Sequence, residues 1–355
     1  MRLLDKKSYL LTTSLIQIIF CFLLFSAPVL ADESKGNIPS IKSISAGYSH
    51  SVALTKEGKV YTWGNNTYGQ LGDGTLDYGV GDELSGYGIG NGQAQYARKQ
   101  PTLVKGLNNI VEISAGWYQT IALRSDGTVW TWGNIKTDNK NKPTQVIGLS
   151  DVKAVAGGEN HIIALKNDGT AWTWGRNTFG QLGDGTTTDR VLPVKVKGID
   201  NIIKIYAGAG FTLALKKDGT VWAWGYNSDG QLGTGDKESR KTPVQVKDLT
   251  GVSDITAGKS HAAALKEDGT VWTWGDNEDG QLGNGENYSC KTSPVQVKWL
   301  EDVVKIAAAK THSMAIEKDG SVRAWGENDI GWLGCGTNSY YDLPSKVENL
   351  ADVKT

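Results

Sequence analysis

This chain is poor in cysteine, methionine, phenylalanine and histidine, with three, two, five and four residues among 355. So few cysteines exclude a disulfide framework as the source of stability. Neither charge predominates, since 37 Lys and Arg stand against 38 Asp and Glu. Without a basic stripe or tail, binding of nucleic acid to a positive face is disfavoured. A long hydrophobic run is missing as well. The apolar stretch Leu15–Phe25, broken by Gln17, has about eleven residues where a membrane-spanning helix needs roughly twenty. That stretch follows Arg2, Lys6 and Lys7 and precedes Val29, Leu30 and Ala31. A basic start, an apolar run and small or aliphatic residues at a cleavage point follow the order of a secretory signal peptide. Residues 1–31 are therefore expected to be removed on export, as in bacterial secretion. Residues 32–40 would then be a short linker, and no stable membrane span would remain. The expected location is the medium or the cell surface. Cys21 lies inside the apolar run without the small residues a lipid attachment site needs.

What is abundant is glycine (45 residues) and tryptophan (13), a composition that favours short strands and tight turns over helices. A Trp-Gly pair recurs at Trp63, Trp132, Trp174, Trp224, Trp274 and Trp325, at intervals of about fifty residues, the mark of a repeat architecture. The third copy shows the unit in full. Residues 152–158 read as a strand, 161–166 (HIIALK) as a second and 170–174 (TAWTW) as a third. Residues 193–196 (PVKV) read as a short fourth strand with Pro193 at its start, which suits a sheet edge. Asp-Gly pairs at 126, 168, 218, 268 and 319, with Glu57-Gly58 in the first copy, separate strands two and three. Asp-Gly between alternating strands signals a hairpin with a primed turn. Each copy is then a four-stranded antiparallel meander, and such sheets bury their Trp-rich faces by stacking on one another. The fold class expected is all-β, a β-propeller of about six blades at 41–106, 107–148, 149–198, 199–248, 249–299 and 300–349. An insertion of residues 76–100 lies in the first copy. Residues 350–355 (LADVKT) repeat the opening of a copy (LSDVKA, 149–154). That leaves two readings: a six-bladed protein with a leftover strand, or a seventh blade that is missing.

The pattern A-G-x-x-H-S-x-A-L at 46–54, followed by G-x-N-x-x-G-Q-L-G at 64–72, resembles the regulator of chromosome condensation repeat. The motifs cover residues 41–349. The resemblance implies a propeller, and the family includes a nuclear exchange factor for a small GTPase. It also includes a secreted bacterial β-lactamase inhibitory protein of the second type. Both have seven blades, where six copies are counted here. The second copy also lacks GQLG.

Candidate chemistry is sparse. His50, His161, His261 and His312 share one repeat position, which holds Gln119 and Phe211 in copies two and four. A blade apart, the four cannot converge on one metal ion, and exchange with Phe fits packing. Ser49-His50 and Ser260-His261 are strand neighbours that point to opposite faces, poorly placed as nucleophile and base. Gly258-Lys259-Ser260 lacks the upstream glycine and the helix of a phosphate loop, Ser253 standing there instead. The run 86–92 (GYGIGNG) has no dinucleotide-binding context. Asp73, Asp77, Asp82 and Glu83 gather without the spacing of a calcium loop and read as a solvated acidic segment. The tryptophan pairs 130/132, 172/174, 222/224 and 272/274 each share one strand face and read as blade-to-blade packing. No catalytic residue, metal site or cofactor is expected. Cys290 and Cys335 lie in comparable loops of neighbouring copies, so one bridge or two free thiols both fit.

In a meander, the loop between strands one and two shares a face with the loop between strands three and four. That face carries the variation among copies, and its early copies are aromatic: Tyr48, Tyr68, Trp117, Tyr118 and Phe179, with Tyr78, Tyr87 and Tyr96 in the insertion. Aromatic loops on a rigid scaffold are interface material. The function expected is a secreted, monomeric, non-enzymatic scaffold that binds a protein partner there. Inhibition of an extracellular enzyme such as a β-lactamase, GTPase regulation by family analogy, and carbohydrate binding are the alternatives.

Overall fold

The computed structural model describes residues 39–76, 97–135, 139–350 and 352–353. The signal-like segment and most of the insertion lie outside them. All regular structure among the described residues is β, in six four-stranded antiparallel sheets, the blades of a β-propeller. Blade one is β1 (Ile41–Ala46), β2 (His50–Thr55), β3 (Val60–Asn65) and β4 (Ala97–Leu103). Blade two is β5 (Ile110–Ala115), β6 (Gln119–Arg124), β7 (Val129–Asn134) and β8 (Asn139–Gln145). Blade three is β9 (Val152–Gly157), β10 (His161–Lys166), β11 (Ala171–Gly175) and β12 (Arg190–Lys195). Blade four is β13 (Ile202–Ala207), β14 (Phe211–Lys216), β15 (Val221–Gly225) and β16 (Arg240–Gln245). Blade five is β17 (Val252–Ala257), β18 (His261–Lys266), β19 (Val271–Gly275) and β20 (Lys291–Gln296). Blade six is β21 (Val303–Ala308), β22 (His312–Glu317), β23 (Val322–Gly326) and β24 (Tyr341–Lys346). The chain falls into two compact units, 35–212 and 213–355.

The second strand of each copy is nearly continuous in apolar residues because it is covered on both faces. In β10 the residues His161–Leu165 are all buried, and the same holds in β2, β6, β14 and β18. Burying each such Leu or Ile contributes about 1.5–3 kcal/mol. Neighbouring sheets share their cores within each unit. Ile121, Leu123 and Val129 of blade two pack with Val155, Ile162 and Trp174 of blade three. Ala263, Leu265 and Val271 of blade five pack with Ile306, Ala315 and Trp325 of blade six. The fourth strands are the outer edges, and all six carry a proline: Pro101, Pro143, Pro193, Pro243, Pro294 and Pro344. A missing N–H is tolerated at an edge.

Two local expectations are corrected. The fourth strand of blade three runs Arg190–Lys195, with Pro193 inside it. Its pairing with β11 shifts between Thr173↔Val194 and Gly175↔Arg190, a bulge that lets the strand start earlier. The Asp-Gly turn is also not of the primed type. Gly169 N–H donates to Lys166 O at 3.0 Å and Lys166 N–H to Thr170 O at 2.9 Å. Gly169 has φ +79° while Asp168 is not in the left-handed region, so this is an ordinary turn closed by a glycine bulge. Asp168 fixes it, because its carboxylate accepts from Thr170 N–H at 2.9 Å and from Thr170 Oγ1 at 2.7 Å. The same pair recurs at Asp126/Thr128, Asp218/Thr220 and Asp268/Thr270. Those hydroxyl bonds hold each of these carboxyls below the usual aspartate range.

Candidate functional site: an aromatic loop surface

The four histidines are structural posts beneath the loop face. His50, His161 and His261 are fully buried and His312 is 3% exposed. His50 Nε2 lies 2.9 Å from Thr120 Oγ1, His161 Nε2 3.0 Å from Thr212 Oγ1, and His261 Nε2 2.9 Å from Ser313 Oγ. Each hydroxyl gives its single proton to a loop carbonyl, of Gln70, Gln181 or Gln281. The imidazole must therefore donate from Nε2. The buried tryptophans add a second donor at two of these carbonyls, Trp132 Nε1 to Gln70 O and Trp325 Nε1 to Gln281 O, and Trp274 Nε1 donates to Gln231 O, each at 2.9 Å. Trp174 and Trp224 are buried likewise, and Trp63 is half-buried.

The motif glutamine and asparagine shape the loop between strands three and four. Gln70 Oε1 accepts Tyr68 N–H at 2.9 Å and Gln181 Oε1 accepts Phe179 N–H at 2.9 Å, so each presents an aromatic side chain. Asn66, Asn177, Asn227, Asn277 and Asn328 are fully buried. Their Oδ1 atoms accept the N–H of Leu71, Leu182, Leu232, Leu282 and Leu333.

The A-G-x-x-H loops are tied edge to edge. Tyr48 N–H donates to Trp117 O at 3.3 Å and Trp117 N–H to Gly158 O at 3.2 Å. The glycine is required, since a Cβ at Gly47 would strike the His50 ring. Four of the rings singled out by sequence meet on this row. Tyr48 stacks on Trp117 at 5.2 Å and 27°, and Tyr118 meets Tyr48 at 5.9 Å, Trp117 at 6.4 Å and Tyr68 at 4.9 Å. Tyr48 is 39% exposed and the other three are half-buried. Such ring pairs contribute about 0.5–1.5 kcal/mol each, so the surface is held before any partner arrives. Phe179 lies 5.9 Å from the Arg176 guanidinium. Tyr78, Tyr87, Tyr96, Asp77, Asp82 and Glu83 fall outside the described residues. Asp73 is engaged by Arg98 at 2.8 Å.

Three features were not anticipated. The loops of blades five and six gather Asp276, Glu278, Asp279, Glu327 and Asp329. Burial, then the charges of its neighbours, push Asp279 up to about 6. On the opposite end, Trp299 is 74% exposed beside a hollow lined by Asp268, Thr270 and Asp302. The first tryptophan of each pair is half-buried under a cation: Arg124 lies over Trp130, and Lys166, Lys216 and Lys266 lie over Trp172, Trp222 and Trp272. Cys290 and Cys335 are free thiols, and burial pushes Cys335 up to about 11. Among the described residues, no group of three His, Cys, Asp or Glu could hold a metal ion. Among the same residues, no helix is long and apolar enough to cross a membrane.

Residues 57–123, 168–215, 218–265 and 268–316 match the profile of the Regulator of chromosome condensation (RCC1) repeat. A second profile of that repeat matches 41–70, 152–181, 202–231 and 252–281. Protein pim1 of Schizosaccharomyces pombe is 32% identical over 111 residues, 31% of this chain and 19% of that protein. RCC1 domain-containing protein RUG3, mitochondrial, of Arabidopsis thaliana is 35% identical over 98 residues, 27% of this chain and 18% of that protein. The chain thus spans under a fifth of these relatives. Yeast RCC1 (Prp20), solved bound to Kap60, superposes with a TM-score of 0.74 at 23% identity, over 87% of this chain and 75% of that one. Human WBSCR16 gives 0.75 at 22% identity, over 88% and 83%.

Proposed function

The chain belongs to the regulator of chromosome condensation repeat family, and from that premise we propose that it is a protein-binding scaffold. It takes its partner on the aromatic loop surface of blades one and two. The observation that carries this reading is the contact of Tyr48, Tyr68, Trp117 and Tyr118 across two blades. Rigid aromatic anchors lose little conformational freedom on binding and are the residue types that dominate interface energetics. The relatives agree in kind. Yeast Prp20 is solved in complex with Kap60, and a second Prp20 structure is described with its binding to Gsp1p and histones.

The reading is of a binder and not of an enzyme. The four histidines are sealed under the loops and committed by burial to the neutral form. A base so placed reaches no substrate. The protein acts outside the cytoplasm, as the basic start and short apolar run support, and protein recovered from the medium should begin at Asp32 on N-terminal sequencing.

The test is affinity for a partner captured on the intact chain. Trp117→Ala is expected to weaken binding about thirtyfold, the scale of a hot-spot residue, without lowering the thermal midpoint by more than a few degrees. Deletion of 77–97 should weaken it further. Unchanged affinity in Trp117→Ala, Tyr118→Ala and the deletion alike would sink the assignment of this surface.

A further inference from the structure

The link that follows the fourth strand of each blade repeats one backbone shape, and Trp299 departs from what fills it elsewhere. The chain is left-handed there in every copy, with Gly106, Gly148 and Gly198 at φ +83°, +78° and +71°, Asp248 and Asn349 at +52° and +56°, and Trp299 at +58°. Glycine, asparagine and aspartate enter this region readily, whereas a bulky side chain there is an outlier. Three residues on, a second left-handed position holds Asn109, Asp151, Asn201, Gly251, Asp302 and Asp352. Trp299 is the one bulky residue in either series.

The indole offsets none of this strain by packing. It is 74% exposed, and among the described residues it has neither a ring contact nor a hydrogen-bond partner. The site is open in other copies too, since a Cβ at Gly106, Gly148 or Gly198 would meet nothing within 4 Å. Strain held in a residue that packs against nothing points to a functional role.

Trp299 lines an open hollow of about 800 Å³ between the β18–β19 turn and the link from β20 to β21. The two sides of the hollow are joined. Val303 N–H donates to Gly269 O at 3.2 Å, and a Cβ at Gly269 would come within 3.3 Å of Asp302 Cα. Gln296, Thr270 and the carboxylates Asp268, Glu301 and Asp302 supply its polar lining. Asp268 is already engaged by Thr270 Oγ1 at 2.6 Å and by Lys266 at 3.5 Å. Glu301 and Asp302 have no ion-pair or side-chain hydrogen-bond partner among the described residues. Lys298, the one cation of the lining, has its Nζ beside Gly285, where its charge acts on Glu286.

An exposed indole face next to two free carboxylates attracts an organic cation. A guanidinium suits it better than an ammonium, because it stacks flat on an indole and forks onto a carboxylate. A hollow of this size holds more than one side chain, so the cation comes with a short run of peptide.

We propose that this hollow, at the hairpin-turn end of blade five, is a binding site for an arginine-bearing peptide segment, independent of the aromatic loop surface. The guanidinium lies on the Trp299 indole, with Glu301 and Asp302 as its counter-charges.

The probe is a blocked peptide of alternating glycine and arginine, with its glutamate counterpart as control, titrated into the chain carrying isotope-labelled tryptophan. The indole N–H signal that disappears in Trp299→Asn identifies Trp299. The arginine peptide should shift that signal and the glutamate peptide should not. Trp299→Asn, the residue present as Asn349, should weaken the arginine peptide about tenfold without lowering the thermal midpoint. Glu301→Gln combined with Asp302→Asn should weaken it by a similar factor and flatten its salt dependence. Asparagine already occupies the second position as Asn109 and Asn201, so the link should keep its shape. A Trp299 signal that stays in place, equal affinity in Trp299→Asn, or a midpoint lowered by about 2 °C or more in that variant each overturns the proposal. So does a shift of the Trp299 signal by an uncharged chitin oligosaccharide but not by the arginine peptide, which would reassign the hollow to a sugar.

Discussion

At the residue scale, the fold depends on a hydroxyl answering three of the four buried imidazoles, those of His50, His161 and His261. Ser313 receives the Nε2 proton of His261 and passes its own to Gln281 O. Ser313→Ala strands that imidazole donor away from water, and a buried unsatisfied donor costs about 1–3 kcal/mol. Urea unfolding should show a loss in that range, while Ser313→Thr, the residue present as Thr120 and Thr212, should restore wild-type stability. A loss under about 0.5 kcal/mol for the alanine variant would remove the pairing as a stabilising element. Half of this was legible in the sequence. Phe211 and Gln119 in the same column mark a packing position, since neither can do what a ligand or base does. The hydroxyl was not legible, because it lies a whole copy away and a single sequence carries no mark that links two such residues.

At the element scale, the long loop between strands three and four is organised by one asparagine in each of five copies, all but the second. Asn177 accepts Leu182 N–H at 3.0 Å and donates to Thr186 O at 3.1 Å and Thr188 O at 3.0 Å. Asn177→Ala leaves the Leu182 amide unpaired in a fully buried place, and removes a donor from the less buried Thr186 and Thr188 carbonyls. The expected cost is about 3 kcal/mol, with new proteolytic cleavage confined to residues 176–189. A cost below 1 kcal/mol would mean that the loop holds itself without the side chain. The strands around this loop were readable from alternation and from the Trp-Gly spacing, because packing on both faces writes a pattern into neighbouring residues. The turn type was misread for a local reason. Asp-Gly suits a primed turn, but the threonine two residues after Asp126, Asp168, Asp218 and Asp268 supplies an N–H and a hydroxyl that hold the carboxylate in an ordinary turn with a glycine bulge. The early start of β12 was missed because the bulge at Gly175 adds residues to the outer strand without changing composition. The aromatic surface was legible as a list of residues on shared loops. Its ring contacts were not, since they depend on Tyr48 N–H reaching Trp117 O across the blade boundary.

At the scale of the whole molecule, the buried histidines set how the protein responds to acid. Burial lowers His50, His161 and His312 to about 4 and His261 to about 3, the last also through the charge of His312. A free imidazole titrates near 6.5. Below that pH the unfolded chain takes up protons that the folded chain refuses, so this stability is complete above pH 6.5 and is lost as pH falls toward 4. Each histidine contributes a slope of about 1.4 kcal/mol per pH unit in that window, and the four together about 5 kcal/mol per unit. Asp279 acts in the opposite sense. Its folded carboxyl, raised to about 6, is protonated before the unfolded one, which returns stability between pH 6 and 4. Partly solvated, it offsets only a fraction of one histidine. Urea unfolding at pH 7, 6 and 5 should therefore show a steep fall below pH 6.5. His161→Phe, a residue the same column already accommodates as Phe211, should remove about a quarter of that slope, and Asp279→Asn should steepen it. If His161→Phe left the slope unchanged, proton uptake by the buried imidazoles would not be what unfolds this protein in acid, and exposed carboxylates would have to carry the effect.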